Sequence, residues 1–341
     1  MLENAFTFGK LLVAHNICRR SKQHKRETVT FELNISYNLA MLSREILNRT
    51  YGVGKYREFK IYEPKERSIE ALTYRDRVVL MALCTNIIEP RLEKRLINDN
   101  TACRKGKGTH YGITRLATFM QEHYREHGNE GYCLKCDVRK YFQSIDHGVL
   151  FEMIKKVGFD ADELWLMKKI IDSRNGDTGV GLPIGNQTSQ WFALLYLDVI
   201  DRLVKEKLKI KHYVRYMDDM ILVHPDKEYL KHCKEEIERT AKEVLHLSLN
   251  NKTVITKLTK GIDFLGFRHI LTPTGKVLRL LRGQAKTRIR HNIRRISRMK
   301  ETKKVDDKYV NERRQSYAAH LKHSHSKKYF NALLVRYKLD K

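Results

Sequence analysis

Tyr213-Val214-Arg215-Tyr216-Met217-Asp218-Asp219-Met220-Ile221-Leu222-Val223 is the stretch on which the fold turns. Two short β-prone runs, Tyr213–Tyr216 and Met220–Val223, flank Met217-Asp218-Asp219, and the pattern predicts a hairpin. A second acidic site lies upstream in Leu134-Lys135-Cys136-Asp137-Val138-Arg139-Lys140-Tyr141-Phe142. There Tyr132–Val138 reads as a short buried strand delivering Asp137 at its end. Carboxylates beside buried strands are costly unless paired or bound to a cation. If the two strands are neighbours, Asp137 and Asp218 converge, and hard oxygen ligands at one point suit Mg²⁺. Two such ions ~3.5–4 Å apart would activate an attacking hydroxyl and stabilise a leaving phosphate. An Asp-Asp dipeptide alone is more often an ordinary turn. Its combination with Asp137 and the flanking apolar strands reverses that weighting.

Working outward, residues 36–50 read as a helix, and residues 55–72 as extended. Thr73 reads as the cap of a helix running to Glu89, which Pro90 stops. Residues 99–112 form a basic, glycine-punctuated loop, and 113–127 a helix. Two helices at 147–157 and 161–173, a turn at Asp172–Gly181 and one long helix at Thr188–Lys207 follow. After the hairpin, Asp226 caps a helix with Leu230, Cys233, Ile237, Ala241 and Val244 on one face. Val254–Ile255 and Phe264–Phe267 read as a strand pair. This order gives an α+β fold, with antiparallel strands on one side and helices on the other.

The 341 residues carry a net charge of +27, which makes a polyanion, and nucleic acid first, the partner to consider. Apolar residues are 41%, enough for a real core. The longest apolar runs, such as Val78–Cys84 and Trp191–Leu197, fall far short of the ~18–20 residues that span a bilayer. No membrane partner and no signal peptide are expected, and six cysteines fit free thiols in a reducing cytosol. Residues 268–300 hold eleven Lys or Arg and no Asp or Glu. Ile289, Ile293 and Ile296 recur there at helical spacing, so part of the segment is a basic amphipathic helix suited to nucleic acid. Its Arg279, Arg282, Lys286, Arg290 and Arg294 are the candidate contacts. Arg19, Arg20, Lys22, Lys25 and Arg26 form a second basic cluster, in an N-terminal arm with a short helix around Phe6–His15. Cys133-x-x-Cys136 has half a zinc-site spacing, but the two residues would point to opposite faces of a strand. His320, His323 and His325 read as a nucleic-acid-facing or solvated patch.

Tyr216-Met217-Asp218-Asp219 resembles the YxDD box of reverse transcriptases, and Leu134–Phe142 resembles their first palm motif. Pro64–Ile69 with Arg75-Asp76-Arg77 resembles the fingers motifs. Leu182-Pro183-Ile184-Gly185-Asn186-Gln187-Thr188-Ser189-Gln190 resembles the next palm motif. Asn250-Asn251-Lys252-Thr253 and Phe264-Leu265-Gly266-Phe267 resemble the last two. Six motifs in the family's order are a specific signal. The resemblance implies a right-hand polymerase, α+β, with a ferredoxin-like, RRM-like palm. Residues 1–35 would be a basic arm, 36–110 fingers, 111–270 palm with a fingers insertion at about 147–180, and 271–341 a basic helical thumb.

It also implies roles. Asp137, Asp218 and Asp219, with the Val138 carbonyl, would hold two Mg²⁺, with Mn²⁺ as a substitute. Lys65 and Arg67 would meet the triphosphate, and Phe142 would act as the steric gate against ribose. Gly185 would let the backbone approach the nucleotide, and Lys252 would protonate the leaving pyrophosphate. Partners would be template RNA, the RNA/cDNA duplex and dNTPs.

Ile184 before Gly185, and Gln190 after Ser189, resemble the reverse transcriptases of diversity-generating retroelements rather than group II-like enzymes. Ser316–His323 resembles their thumb end, and the length leaves no room for an RNase H, maturase or endonuclease domain. That subgroup implies error-prone copying of adenines from a template-repeat RNA, with a small basic oligomeric accessory protein, in a bacterial, archaeal or phage-encoded setting. The alternatives are a group II-like, retron or phage-defence reverse transcriptase, and, in another class, a non-catalytic RNA-binding scaffold.

Overall fold

The computed structural model describes residues 2–62, 66–174 and 179–340. The chain divides into two compact units and passes between them several times. The first holds Met1–Arg104, Asp137–Lys207 and Glu235–Asn251, and the second Lys105–Cys136, Leu208–Lys234 and Lys252–Lys341.

The first unit is helical apart from one antiparallel ribbon of β1 (Arg57–Ile61) and β2 (Arg67–Ala71), in register Arg57↔Ala71, Phe59↔Ile69 and Ile61↔Arg67. The N-terminal residues are more ordered than a basic arm with one short helix. They form helices at Phe8–Cys18, Arg26–Leu33 and Ile35–Leu47. Leu11, Ala14, Leu39, Leu42 and Ile46 anchor them by burial.

Pro90 does not stop the helix before it. The helical path runs as Tyr74–Leu83, a π turn at Cys84–Ile88, and Glu89–Arg95. Proline lacks an N–H and crowds the carbonyl four residues back. The π turn shifts the ladder ahead of it, with the Glu89 N–H bonded to the Cys84 carbonyl. Pro90 then sits in the first turn of the next segment, where no N–H is needed. Thr73 does not cap with its side chain either, because its hydroxyl donates to Asp76 Oδ2 at 2.6 Å. The single helix expected at 188–207 is broken into Gln187–Tyr196, Asp198–Arg202 and a π turn at Leu203–Lys207. Buried Asp198 marks the break, held by Arg95 at 3.1 Å and Arg202 at 3.0 Å.

The second unit holds a four-stranded antiparallel sheet of β3 (Tyr132–Cys136), β4 (His212–Tyr216), β5 (Asp219–His224) and β6 (Val254–Lys257), in the order β4-β5-β3-β6. Leu116, Phe119 and Met120 of the helix Thr109–His127 pack on Val214, Ile221 and Val223. Cys133 and Cys136 are buried thiols in β3 and form no disulfide.

Val254–Ile255 does not pair with Phe264–Phe267. It belongs to β6, where Ile255 faces Leu134 of β3. Phe264 and Phe267 face each other instead, in a separate sheet of β7 (Ile262–Phe264), β8 (Phe267–Leu271) and β9 (Val277–Leu281). Leu265 and Gly266, with φ of +47° and +89°, make the two-residue turn that a right-twisted hairpin favours. The basic segment 268–300 is therefore strand first and helix only over Gly283–Glu301. Ile289, Ile293 and Ile296 of that helix are buried against Val310, Leu321, Phe330 and Leu333.

Asp226 does cap its helix, accepting from the Glu228 and Tyr229 N–H groups at 2.7 and 3.3 Å. Val244 lies just past the helix end, Lys227–Glu243, and is 49% exposed rather than on the buried face.

Candidate active site

In the second unit, Tyr216 pairs with Asp219, so Met217-Asp218 is the whole turn of the β4–β5 hairpin. Met217 takes φ +56°, a left-handed conformation that costs a side-chain-bearing residue about 1–2 kcal/mol. A partner beneath the turn holds it there. Arg215 is fully buried, and its guanidinium donates to the Met217 carbonyl at 2.9 Å.

Asp219 opens β5, and Lys135 of β3 donates to its carboxylate at 2.9–3.0 Å and to the Asp263 carbonyl at 2.8 Å. The register explains the meeting: Lys135 faces Ile221, and Asp219 lies two residues away on the same face. Cys136 faces Met220, so the end of β3 that leads into Asp137 is the end beside the start of β5. Lys252 is exposed in the turn before β6.

In the first unit, Asp137–Arg139 is zipped to Ser248–Asn250. Arg139 N–H donates to the Ser248 carbonyl at 2.9 Å, Val138 bridges Leu249, and Asn250 N–H donates to the Asp137 carbonyl at 2.7 Å. The Asn250 side-chain amide then donates to Asp137 Oδ2 at 3.0 Å. One carboxylate oxygen is thus fixed by a neutral donor, which orients the group and leaves its charge uncompensated by that bond.

The same unit gathers the residues expected around a nucleotide. Phe142 is half-buried, and its carbonyl accepts from Leu182 N–H at 2.7 Å, tying it to the Leu182–Gln190 segment. The Ile184 carbonyl accepts from Glu70 N–H of β2 at 3.1 Å. Gly185 has φ +138°, and a Cβ there would lie 3.0 Å from the Glu70 carbonyl and 3.3 Å from Ile69. The group that Gly185 admits closely is therefore β2. Arg67, at the start of β2, and Gln190 are exposed, and Lys65 lies outside the described residues.

The basic helix divides its cations. Arg290 and Arg294 are exposed opposite the buried isoleucines. Arg282 is paired with Asp263 at 3.1 Å, Lys286 lies over the Tyr329 ring at 5.6 Å, and Arg279 is half-buried in β9. His320 stacks on Phe267, His323 on His110 at 3.8 Å, and His325 hydrogen-bonds to the Arg279 backbone. His320 and His325 are exposed and His323 is half-buried, so the three keep solvent access while making these contacts. Sequence reading passed over Arg215, Lys135 and Asn250 as working residues. A lone arginine inside an apolar strand was the available signal for the first.

The family model described as reverse transcriptase (RNA-dependent DNA polymerase) matches residues 63–269. Protein YkfC of Escherichia coli K12 is 23% identical over 282 residues, covering 70% of this chain and 73% of that protein. Among solved structures, telomerase from Candida albicans, in complex with a fragment of telomeric RNA, has a TM-score of 0.52 at 11% identity. That match covers 78% of this chain and 55% of the telomerase chain. Apo telomerase from Candida tropicalis gives a TM-score of 0.50 at 13% identity, covering 70% and 59%. The chain thus spans under two thirds of either telomerase, and these likenesses show a shared right-hand polymerase fold. Among the described residues, no helix is long and apolar enough to cross a membrane.

Proposed function

Because this chain belongs to the reverse transcriptase family, we propose that it copies an RNA template into DNA, and does so as the error-prone polymerase of a diversity-generating retroelement. Support for the chemistry comes from the placing of three carboxylates at strand ends, Asp137 directly after β3, Asp218 in the β4–β5 turn and Asp219 at the start of β5, with the Val138 carbonyl next in the chain to Asp137. This donor set is all oxygen, which fits Mg²⁺, or Mn²⁺ in its place. Among the described residues, no three His, Cys, Asp or Glu side chains gather as a cage. Mg²⁺ is usually held by one or two carboxylates, with waters and substrate phosphates completing the shell.

When bound, the two ions would supply Lewis-acid activation of the primer hydroxyl and charge stabilisation at the leaving phosphate. The chain's own residues do the rest. Asn250 aims Asp137, and Arg215 fixes the turn that presents Asp218. Lys135 holds Asp219 at the start of β5. Lys65 and Arg67 are assigned to the triphosphate, Phe142 to excluding a ribose 2′-hydroxyl, and Lys252 to protonating pyrophosphate. Gln190 is assigned to the nucleotide pocket. Arg279, Arg282, Lys286, Arg290 and Arg294 are assigned to the duplex, with Arg282, Arg290 and Arg294 exposed. A small basic accessory protein completes the reading.

Replacing Lys135 with methionine keeps most of its volume and removes its charge. Primer extension is expected to fall about tenfold, as for loss of a residue that orients a metal ligand. Its Mg²⁺ half-saturation is expected to shift, because Asp219 loses its counter-ion. A Mg²⁺ titration of extension rate checks this, and an unchanged rate and midpoint would remove Lys135 from the site.

The observation that carries the subtype is Ile184. It lies beside Gly185 against β2, where an aliphatic side chain offers no hydrogen bond to a nascent pair. Looser positioning favours misincorporation. Purified protein given Mg²⁺, dNTPs and a primed RNA with all four bases is expected to make cDNA with errors concentrated opposite adenine. Ile184→Gln is expected to lower those errors several-fold. Faithful wild-type cDNA would move the assignment to another reverse transcriptase class, and no difference between the two proteins would clear Ile184.

A further inference from the structure

We propose that Ser173 and Arg174 form a latch that holds the β1–β2 ribbon on the Leu182–Gln190 segment, and that the Arg174–Glu70 pair thereby sets how tightly and how selectively the pocket takes a nucleotide. Arg174 and Glu70 are positioning residues, acting through Ile184 and Gly185. Every residue of the latch lies in the first unit. The inference deepens the polymerase reading and rests on it for the identity of the ligand.

The ribbon needs a holder. It has two strands, and a two-stranded ribbon is marginally stable by itself. β1 is exposed over Arg57–Lys60 and β2 is nowhere fully buried, so little apolar burial fixes it. A main-chain bond ties it to the pocket segment, from Glu70 N–H to the Ile184 carbonyl at 3.1 Å.

Side chains supply a stronger tie. The Glu70 carboxylate takes Arg174 as a fork, with Nε donating to Oε2 at 3.0 Å and Nη2 to Oε1 at 2.8 Å. Such a bidentate pair fixes direction as well as distance. The Arg174 and Glu70 side chains are 29% and 13% exposed, so solvent screens this pair less than a surface one. Gly181, with φ +96°, makes room for it, because a Cβ there would collide with the Arg174 guanidinium.

One residue earlier, a directed chain of hydrogen bonds reaches the other strand. Asn186 Nδ2 donates to the Tyr56 hydroxyl at 2.9 Å, and Ser173 Oγ donates to the Ile170 carbonyl at 2.7 Å. The Tyr56 hydroxyl lies 2.9 Å from Ser173 Oγ, and its single proton is left to complete the chain. Tyr56, which leads into β1, and Asn186, which follows Gly185, are both buried. Two consecutive residues just past the helix Ala161–Ile171 thus tie both strands of the ribbon to the pocket segment. Glu70 is the residue against which Gly185 packs, so a shift of its carboxylate moves the backbone that carries Ile184. Misplacing a positioning group by about 1 Å can cost as much as a hundredfold.

The test is a charge swap in the full chain. Glu70→Arg and Arg174→Glu are each compared with wild type and with the double variant, by steady-state extension of a DNA primer on an RNA template. Each single variant is expected to raise the KM for the correct dNTP about tenfold, with kcat within about threefold. Errors in the cDNA are expected to rise at every template base, because the pocket wall is loosened for all of them. The double variant is expected to recover most of both, and one no better than either single would remove the ion pair as the cause. A pair that serves stability alone would lower the amount of active enzyme, read as a fall in kcat at unchanged KM, and that result would overturn the proposal. Tyr56→Phe keeps the ring, breaks the second tie and serves where a charge reversal fails to fold. Its KM is expected to rise roughly threefold, and an unchanged KM in the folded variant would count equally against the latch. Hydrogen exchange of the peptide holding Glu70 is read beside these, with no template and no nucleotide. Its protection is expected to fall in each single variant and return in the double one. Unchanged protection would sink the latch. Protection lost and rescued, in a chain whose wild type makes no DNA, would overturn the polymerase reading and leave the latch standing.

Discussion

Asp218→Ala is expected to lower single-turnover primer extension by at least about a thousandfold, or about 4 kcal/mol of transition-state stabilisation. The same change is expected to leave thermal stability unchanged or slightly raised. Both halves follow from the turn. Asp218 is half-buried at a hairpin tip, next to a second carboxylate, in a backbone held by Arg215. Removing it takes away a like charge beside Asp219. Such a site gives up stability for chemistry, and substitution there returns some of it. Asp219→Asn should cost less activity than Asp218→Ala, because Lys135 already neutralises Asp219. Extension of a DNA primer on an RNA template in Mg²⁺, beside a melting curve, reads both. Activity within tenfold of wild type in a folded Asp218→Ala protein would sink the two-metal assignment. It would also restore the scaffold reading, for which the charge of +27 suffices.

The hairpin and the strand before Asp137 were legible because apolar runs bounded by turn residues are local signals. The identity of the neighbours was not. In the order β4-β5-β3-β6, β3 lies between strands that follow it by more than eighty residues in the chain, and no local pattern encodes that. The misassigned partner of Val254–Ile255 has the same origin. Adjacent strands in sequence usually pair, but here the later hairpin closes on its own Leu265-Gly266 turn and frees β6 for β3. Pro90 was read by its rule, and the π turn that exempts it has no sequence mark. Of the N-terminal helices, Phe8–Cys18 and Ile35–Leu47 were legible from their apolar spacing, while Arg26–Leu33 was masked by the lysines and arginines before it. In the site, motif positions were readable and their supports were not. Asn250 was quoted for its motif, yet its bond to Asp137 is a fact of folding. Lys135 stood two residues before Asp137 and passed for an ordinary strand lysine.

Those buried supports also predict how the second unit responds to acid. His269 of β8 is fully buried opposite Arg279 of β9. Burial first, and the nearby guanidinium second, push its pKa from 6.5 down to about 4. The folded chain therefore keeps this imidazole neutral, while the unfolded chain protonates it near 6.5. Its stabilising contribution is complete above pH 6.5 and is lost as pH falls from there towards 4. The gap corresponds to about 3 kcal/mol at full extent. His123, His212 and His320 are shifted the same way by burial, so their contributions add in the same window. Urea unfolding at pH 7.5, 6 and 5 is expected to show stability falling with each step. In His269→Leu the fall should be shallower by a large part of that amount, because the variant has no buried base to protonate. Equal pH slopes in wild type and variant would mean that His269 titrates alike folded and unfolded, against its burial. Loss of activity below pH 6 in wild type, restored in part by His269→Leu, would trace acid inactivation to packing beside β9 and not to the carboxylates of the site.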